Sequence, residues 1–180
     1  MAAKSNFKNM VLCLTLVCLV CSSLLAVVNA VTEEPIQIAN ENEARASLLK
    51  VLPEGGEVSA KLNHEGTEYY TLTENGAVKA YAVKTQAVGF GGPLVLMVGV
   101  LADGTVYNTA VLSHSETPGL GAKCTSDTHF MEQFKGFGPD RRLVVKKDGG
   151  DVDAITASTI TSRAYTLAVS NAVEMVKSLN

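Results

Sequence analysis

The feature that most constrains this chain is a long apolar stretch near its N-terminus. From Met10 to Val31 there is no charged side chain, and most side chains are apolar. A helix of this length measures roughly 33 Å at about 1.5 Å per residue, which is enough to cross a hydrocarbon core of about 30 Å. The stretch therefore predicts a transmembrane helix over residues 10–31.

The charges that flank this stretch predict its orientation. Lys4 and Lys8 precede it, and the first acidic residue is Glu33. Because cytoplasmic flanks of membrane helices carry an excess of Lys and Arg, we expect residues 1–9 to lie in the cytoplasm. Residues 32–180 are then expected on the periplasmic, extracytoplasmic side of the inner membrane, as one domain behind a single-pass anchor.

A cleaved signal peptide is the alternative interpretation of the same stretch. Val28-Asn29-Ala30 has the small residues of a cleavage site, and basic residues precede the apolar run. The run is longer than the apolar region of a usual signal peptide, which favours a retained anchor. Both interpretations place the rest of the chain across the membrane.

The part of the chain after the anchor is acidic and contains one cysteine. It lacks only Lys4 and Lys8 of the charged residues, so it keeps 13 of the 15 basic and all 18 acidic residues, a formal charge of −5. Proteins that bind nucleic acid usually carry a basic surface, so no nucleic-acid partner is expected. Cys124 has no partner for an internal disulfide, and we expect a buried, inert thiol rather than a reactive one.

Hydrophobic periodicity and turn residues predict an α+β domain. Helices are predicted over residues 41–52, 125–134 and 161–179, and strands over 57–62, 67–73, 77–85, 93–101, 105–113, 142–146 and 152–155. The apolar face of the last helix includes Ile160, Ala164, Ala168, Ala172 and Val176. Because strands and helices do not alternate regularly, we expect a mainly antiparallel sheet with flanking helices.

The segment Asp153–Ser162 has a composition suited to binding an anion. It combines small residues and hydroxyl side chains with the start of the last helix. Small residues let a ligand approach the backbone, and free N–H groups at a helix start point at an anion. Ser and Thr are also ordinary helix caps, so this segment alone does not establish a site.

Two further segments accompany it. His114–Gly121 is a loop that contains Pro118 and Gly119 and follows a strand, and Gly89–Pro93 is a glycine-rich step before an apolar strand. Each taken alone is more typical of a turn than of a ligand site.

Together the three segments resemble the motifs of the FMN-binding subunits of the Rnf and Na+-translocating NADH:quinone oxidoreductase (Nqr) complexes. In those families FMN is joined by a phosphoester bond to the second Thr of the pattern Asp-x-x-(Ser/Thr)-Gly-Ala-Thr-x-(Thr/Ser). Asp153, Thr156, Thr159 and Thr161 match that pattern. The chain departs from it at two positions, with Ala157 in place of Gly and Ser158 in place of Ala.

The resemblance implies an FMN site with no catalytic residue and no metal ligand of its own. Thr159 would carry the covalent FMN, Thr117 would hydrogen-bond the ring edge, Leu120 would cover an apolar face of the ring, and Glu116 would orient its loop. Phe90 would contact either the flavin or the core, and the core is favoured. The full set implied to bind the cofactor is Thr159, Thr156, Ser158, Thr161, Glu116, Thr117, Gly119 and Leu120.

The resemblance further implies an electron-transfer subunit of a membrane-bound, ion-translocating ferredoxin:NAD oxidoreductase of the Rnf type, with the G subunit favoured by chain length. Its partners would be the other membrane subunits of that complex, and a flavin transferase for maturation. A stand-alone exported flavin-binding module and a C subunit of the Nqr type are the alternatives. If the backbone needs a positive φ at residue 157, Ala is disfavoured there, and a domain that is never loaded with flavin is a further alternative.

Overall fold

The first element is one long helix, α1, which spans Phe7–Val51 in a computed structural model that describes residues 7–179. It is long and apolar enough to cross a membrane, and it fits a single-pass anchor. The helices predicted over 10–31 and 41–52 are therefore joined. The residues between them include no glycine, and Pro35 removes one backbone donor without ending the helix.

The chain divides into two units, residues 1–42 and 43–180, and the second contains the sheet. All strand pairs in this six-stranded sheet are antiparallel, so the predicted α+β class is confirmed. The strands are β1 Glu57–Val58, β2 Leu62–His64, β3 Thr67–Glu74, β4 Ala77–Val88, β5 Pro93–Leu101 and β6 Val106–Ser113. Their order in the sheet is β1-β3-β4-β5-β6, with β2 also paired to β3.

The connection from β6 to the last helix differs from the prediction. The strands expected over 142–146 and 152–155 do not form, and one isolated parallel bridge joins Val145 to Val152. The chain instead turns through a short 3-10 helix, Lys146–Asp148, and a left-handed Gly149 with φ of 83°. The bridge is parallel, and the six residues between Val145 and Val152 are fewer than the dozen or more that a connection between parallel strands needs.

The helix predicted over 125–134 is shorter in the structure and is preceded by a separate 3-10 helix. A 3-10 helix covers Gly121–Thr125, and α2 covers Thr128–Glu132. Asp127 caps α2, because its carboxylate accepts the Phe130 N–H at 3.2 Å. The cap satisfies a backbone donor in the first turn of α2.

The last helix, α3, spans Thr159–Leu179 and packs on one face of the sheet. Its buried face includes Ala164, Ala168, Ala172 and Val176, as predicted. Tyr165 adds a polar contact in this core, since its hydroxyl shares a 2.7 Å hydrogen bond with Thr109 of β6. The Tyr165 ring also packs on Phe130 and Phe134, which ties α2 to α3.

The opposite face of the sheet is covered by the C-terminal turns of α1. Leu48, Val51 and Leu52 form a second apolar cluster there, packed against Leu72, Ala80, Ala82 and Met97. The approach is close at Gly99 of β5, where an added Cβ would overlap the carbonyl oxygen of Val51. Asn108 also holds the end of α1, because its side-chain amide donates to the Lys50 carbonyl at 2.8 Å.

Replacing Gly99 with Ala is expected to lower the free energy of unfolding by about 1–3 kcal/mol, because the added methyl overlaps backbone. Gly138→Ala is the matched control, since nothing lies within 4 Å of a Cβ at that position. It is expected to change stability by less than about 0.5 kcal/mol. Urea unfolding of the full chain in detergent, followed by near-ultraviolet circular dichroism of its tyrosines, measures both, and equal effects would contradict the packing at Gly99.

Candidate functional site

A cavity of about 350 Å³ brings the three sequence segments together. That volume lies at the small end of the range for ligand pockets. Six of the eight residues implied by the resemblance line it, together with four others. The lining residues are Phe90, Glu116, Thr117, Leu120, Gly121, Ala157, Ser158, Thr159, Ile160 and Thr161.

The start of α3 forms the polar wall of the cavity. Ser158 is the N-cap, because its carbonyl accepts the Ser162 N–H at 3.0 Å. Within residues 7–179, the N–H groups of Thr159, Ile160 and Thr161 have no acceptor. These three donors and the helix dipole make this wall favourable for an anion.

The Ser158 hydroxyl is an unsatisfied polar group at this wall. The residue is 7% exposed, and its Oγ has no hydrogen-bond partner among the described residues. A buried hydroxyl without a partner costs about 1–3 kcal/mol. An anion held at the start of α3 would supply the missing acceptor.

Ala157 adopts the left-handed backbone conformation just before this wall. Its φ is 61°, one of three positive values at non-glycine positions in the described chain. An L-residue with a Cβ pays roughly 1–2 kcal/mol for that region. The turn therefore needs the conformation that the usual Gly would adopt without strain, and this chain forms the turn with Ala.

Glu116 lies beneath the cavity and joins its three segments. The side chain is buried, at 5% exposure. Its Oε1 accepts the Gly91 N–H at 3.2 Å, and its Oε2 accepts the Thr161 hydroxyl at 2.5 Å. The Glu116 N–H in turn donates to Nδ1 of His114 at 3.2 Å.

Glycines leave the space that the Glu116 carboxylate occupies. A Cβ at Gly89 or Gly121 would overlap a carboxylate oxygen, and a Cβ at Gly91 would overlap the Ser115 carbonyl. The glycine-rich step and the following loop are thus matched to this one side chain. The sequence did not predict these contacts, although Gly89 and Gly91 lie close together just before a buried strand.

Apolar side chains form the rim of the cavity. Phe90 is 69% exposed, Ile160 is 48% exposed and Leu120 is 45% exposed. The core position favoured for Phe90 is therefore wrong, and so is the placement of Ile160 on the buried face of α3. Phe90 precedes β5, and Ile160 lies in the first turn of α3. Neither side chain reaches the packed layer between the sheet and α3.

Three motif residues lie outside the cavity lining. Thr156 and Gly119 occupy the flanking turns, and Gly119 has a φ of 75° that favours glycine. The Asp153 carboxylate instead pairs with Lys146 at 2.7 Å. The Asp153 backbone exchanges two hydrogen bonds with the side chain of Gln133, so this part of the motif anchors the chain before the turn.

Cys124 lies close to the site but does not take part in it. It is fully buried, and burial, followed by the nearby Glu116 charge, raises the pKa of its thiol to about 11. Thiolates, not thiols, are nucleophilic. The predicted burial of Cys124 is confirmed, and its inertness stays a prediction.

Comparison with known proteins defines the class of this domain. An FMN-binding domain family matches residues 89–174, a range that contains all three segments. The crystal structure of the C subunit of the Na+-translocating NADH-quinone reductase from Parabacteroides distasonis aligns with a TM-score of 0.50 and 23% identity, over 77% of this chain and 85% of that one. That likeness shows a shared fold, and the class is that of FMN-binding domains.

Closer relatives are found among the subunits of ion-translocating complexes. The G subunit of the proton-translocating ferredoxin:NAD(+) oxidoreductase complex of Clostridium ljungdahlii is 33% identical over 91% of this chain and 88% of that protein. The G subunit of the ion-translocating oxidoreductase complex of Shewanella oneidensis is 38% identical over 90% and 85%. The chain belongs to the family of G subunits of ion-translocating oxidoreductase complexes.

The residues of the cavity fit an FMN group. The three free N–H groups and the unpartnered Ser158 hydroxyl are suited to a phosphate. The exposed Phe90, Leu120 and Ile160 side chains are suited to a flat apolar ring. Both oxygens of the Glu116 carboxylate are engaged by donors of the protein.

Ala157→Gly is expected to stabilise the protein by about 0.5–1 kcal/mol. Relief of the left-handed strain exceeds the entropy that glycine adds to the unfolded chain. Ala154→Gly is the matched control, because residue 154 has no positive φ, and it is expected to destabilise by a similar amount. Urea unfolding of both variants tests this, and a destabilised Ala157→Gly protein would contradict the strain at residue 157.

Cys124 is expected to resist alkylation in the folded protein. With a pKa of about 11, roughly one thiol in a thousand is ionised at pH 8, against about one in four for an ordinary cysteine. Because the folded pKa is raised, the stabilisation from the neutral buried thiol is present below about pH 9 and is lost as the pH rises through about 11. Iodoacetamide labelling with peptide mass mapping, before and after urea unfolding, tests this; equal labelling rates would contradict it.

Proposed function

We propose that this protein is the electron-carrying G subunit of an ion-translocating ferredoxin:NAD oxidoreductase of the Rnf type, with FMN covalently attached to Thr159. One observation carries the proposal. Three segments separated in sequence meet at a single cavity, and Thr159 stands in its wall at the start of α3. The curated relatives from Clostridium ljungdahlii and Shewanella oneidensis are G subunits of such complexes.

The cavity supplies separate environments for the two ends of FMN. The phosphate would lie against the N–H groups of Thr159, Ile160 and Thr161 and accept a hydrogen bond from Ser158. The isoalloxazine ring would lie against Leu120 and Phe90, with Thr117 at its polar edge. Thr156 and Gly119, in the flanking turns, would hold the two loops in the shape that accepts the cofactor.

The covalent bond would be made by a flavin transferase that uses FAD and Mg²⁺. The Thr159 hydroxyl oxygen would form the new ester bond to the phosphorus of the FMN half as the phosphoanhydride bond of FAD breaks. AMP would be the leaving group, and a base of the transferase would take the hydroxyl proton. Thr159 is therefore a modification site rather than a catalytic residue, and the protein's own contribution is to present it.

Bound flavin supplies the redox chemistry, and the residues of the cavity supply its position and electrostatic surroundings. A covalent tether would keep the cofactor on a domain that faces the periplasm, where no free flavin supply can be assumed. The helix α1 would hold this domain at the inner membrane beside the other membrane subunits. Electrons would then pass through the flavin between redox centres of those subunits.

A stand-alone module and a domain that is never loaded with flavin predict different behaviour from this proposal. A stand-alone flavin-binding module would carry the same FMN but would not copurify with other membrane subunits. A domain that is never loaded would carry no FMN even beside an active transferase, as expected if the strain at Ala157 blocked the reaction.

Intact mass of the protein purified from its own membranes tests the attachment. We expect a gain of one FMN residue, which is lost in Thr159→Ala. Ser158→Ala and Thr156→Ala are matched controls that remove a neighbouring hydroxyl, and both are expected to keep the added mass. An unmodified mass with active transferase present would contradict the covalent carrier, and a gain that survives Thr159→Ala would move the acceptor to Ser158 or Thr156.

A further inference from the structure

The Glu116 carboxylate is a buried charge with no cationic partner. Five ion pairs form among residues 7–179, and none of them includes Glu116. Its hydrogen-bond donors are uncharged: a backbone N–H from Gly91 and a hydroxyl from Thr161. A carboxylate in this setting is rare, because buried acids are usually paired.

Both oxygens of this side chain accept a hydrogen bond. The Thr161 hydroxyl donates to Oε2 at 2.5 Å. The Gly91 N–H can only donate, so Oε1 must accept.

This charge lies in the wall of the cavity that would hold the cofactor. Glu116 is one of the lining residues, and it is the only one of them with an ionisable carboxyl or amino side chain. A charge acts more strongly at low dielectric than in water. An electron added to a group in this cavity therefore meets a poorly screened negative charge, which opposes the addition.

We propose that Glu116 lowers the reduction potential of the bound flavin through its charge, in addition to positioning the loop and the start of α3. The proposal rests on the FMN site proposed above. The charge of Glu116 makes the bound flavin a stronger electron donor than the same flavin beside a neutral side chain. It also gives a reason for Gly89 and Gly121, whose lack of a side chain leaves the space that this carboxylate fills.

Two substitutions separate charge from geometry. Glu116→Gln keeps the length and shape of the side chain and removes the charge. Glu116→Asp keeps the charge but is one methylene shorter, so it weakens the hydrogen bonds to Gly91 and Thr161. The midpoint potential of the FMN-loaded full chain is measured for each by spectroelectrochemistry, with intact mass confirming the load.

We expect Glu116→Gln to raise the equilibrium constant for flavin reduction at least tenfold, which is about 30 mV for a two-electron couple. Glu116→Asp is expected to change it by less than threefold while lowering the melting temperature. A potential in Glu116→Gln equal to that of the wild type would overturn the proposal. So would a rise in Glu116→Asp as large as that in Glu116→Gln, because the shift would then follow geometry.

A third variant keeps the test decisive if Glu116→Gln does not fold. Thr161→Val removes the hydroxyl donor and leaves the charge less compensated, so the potential is expected at or below that of the wild type, and a rise would overturn the proposal. Failure of the FMN proposal is recognised separately, since the wild-type protein would then show no added FMN mass and no flavin spectrum.

Discussion

The site depends on one buried carboxylate that holds three parts of the chain at fixed separation. Glu116 binds the glycine-rich step before β5 through Gly91 and the first turn of α3 through Thr161. Its own loop is fixed by the N–H that it donates to His114. The side chains of Phe90, Leu120 and Thr159 lie outside the apolar core, so these hydrogen bonds add to the packing of neighbouring residues in setting the distances between the three.

The sheet and α3 provide the rigid frame for this arrangement. The core between them buries Tyr165, Phe134 and the apolar face of α3, so the start of the helix is held while its first three N–H groups stay free. The second cluster, at the end of α1, supports the opposite face of the sheet. The loops and the start of α3 thus form the cavity, and the packed layers behind them stabilise the domain.

Much of this architecture was predictable, because local patterns determine it. Turn residues such as Asn75-Gly76 and Asp103-Gly104 separate strands of the meander, and the period of the apolar residues in α3 marks its buried face. Phe90 and Ile160 were wrongly predicted to be buried in the core. An apolar residue at the end of a helix or strand gives the same sequence pattern whether its side chain packs in the core or contacts a ligand. The Glu116 contacts span 25 and 45 residues, and no local pattern reports such distances.

The order of the cavity walls along the chain has a consequence for biosynthesis. Phe90, the Glu116 loop and the Thr159 turn come from three separate regions, and the last of them begins the final helix. An incomplete or unfolded chain therefore displays Thr159 on a flexible segment with no pocket beside it. Only a folded domain places the proposed acceptor beside the cavity, so cofactor attached to the protein would also show that the domain has folded.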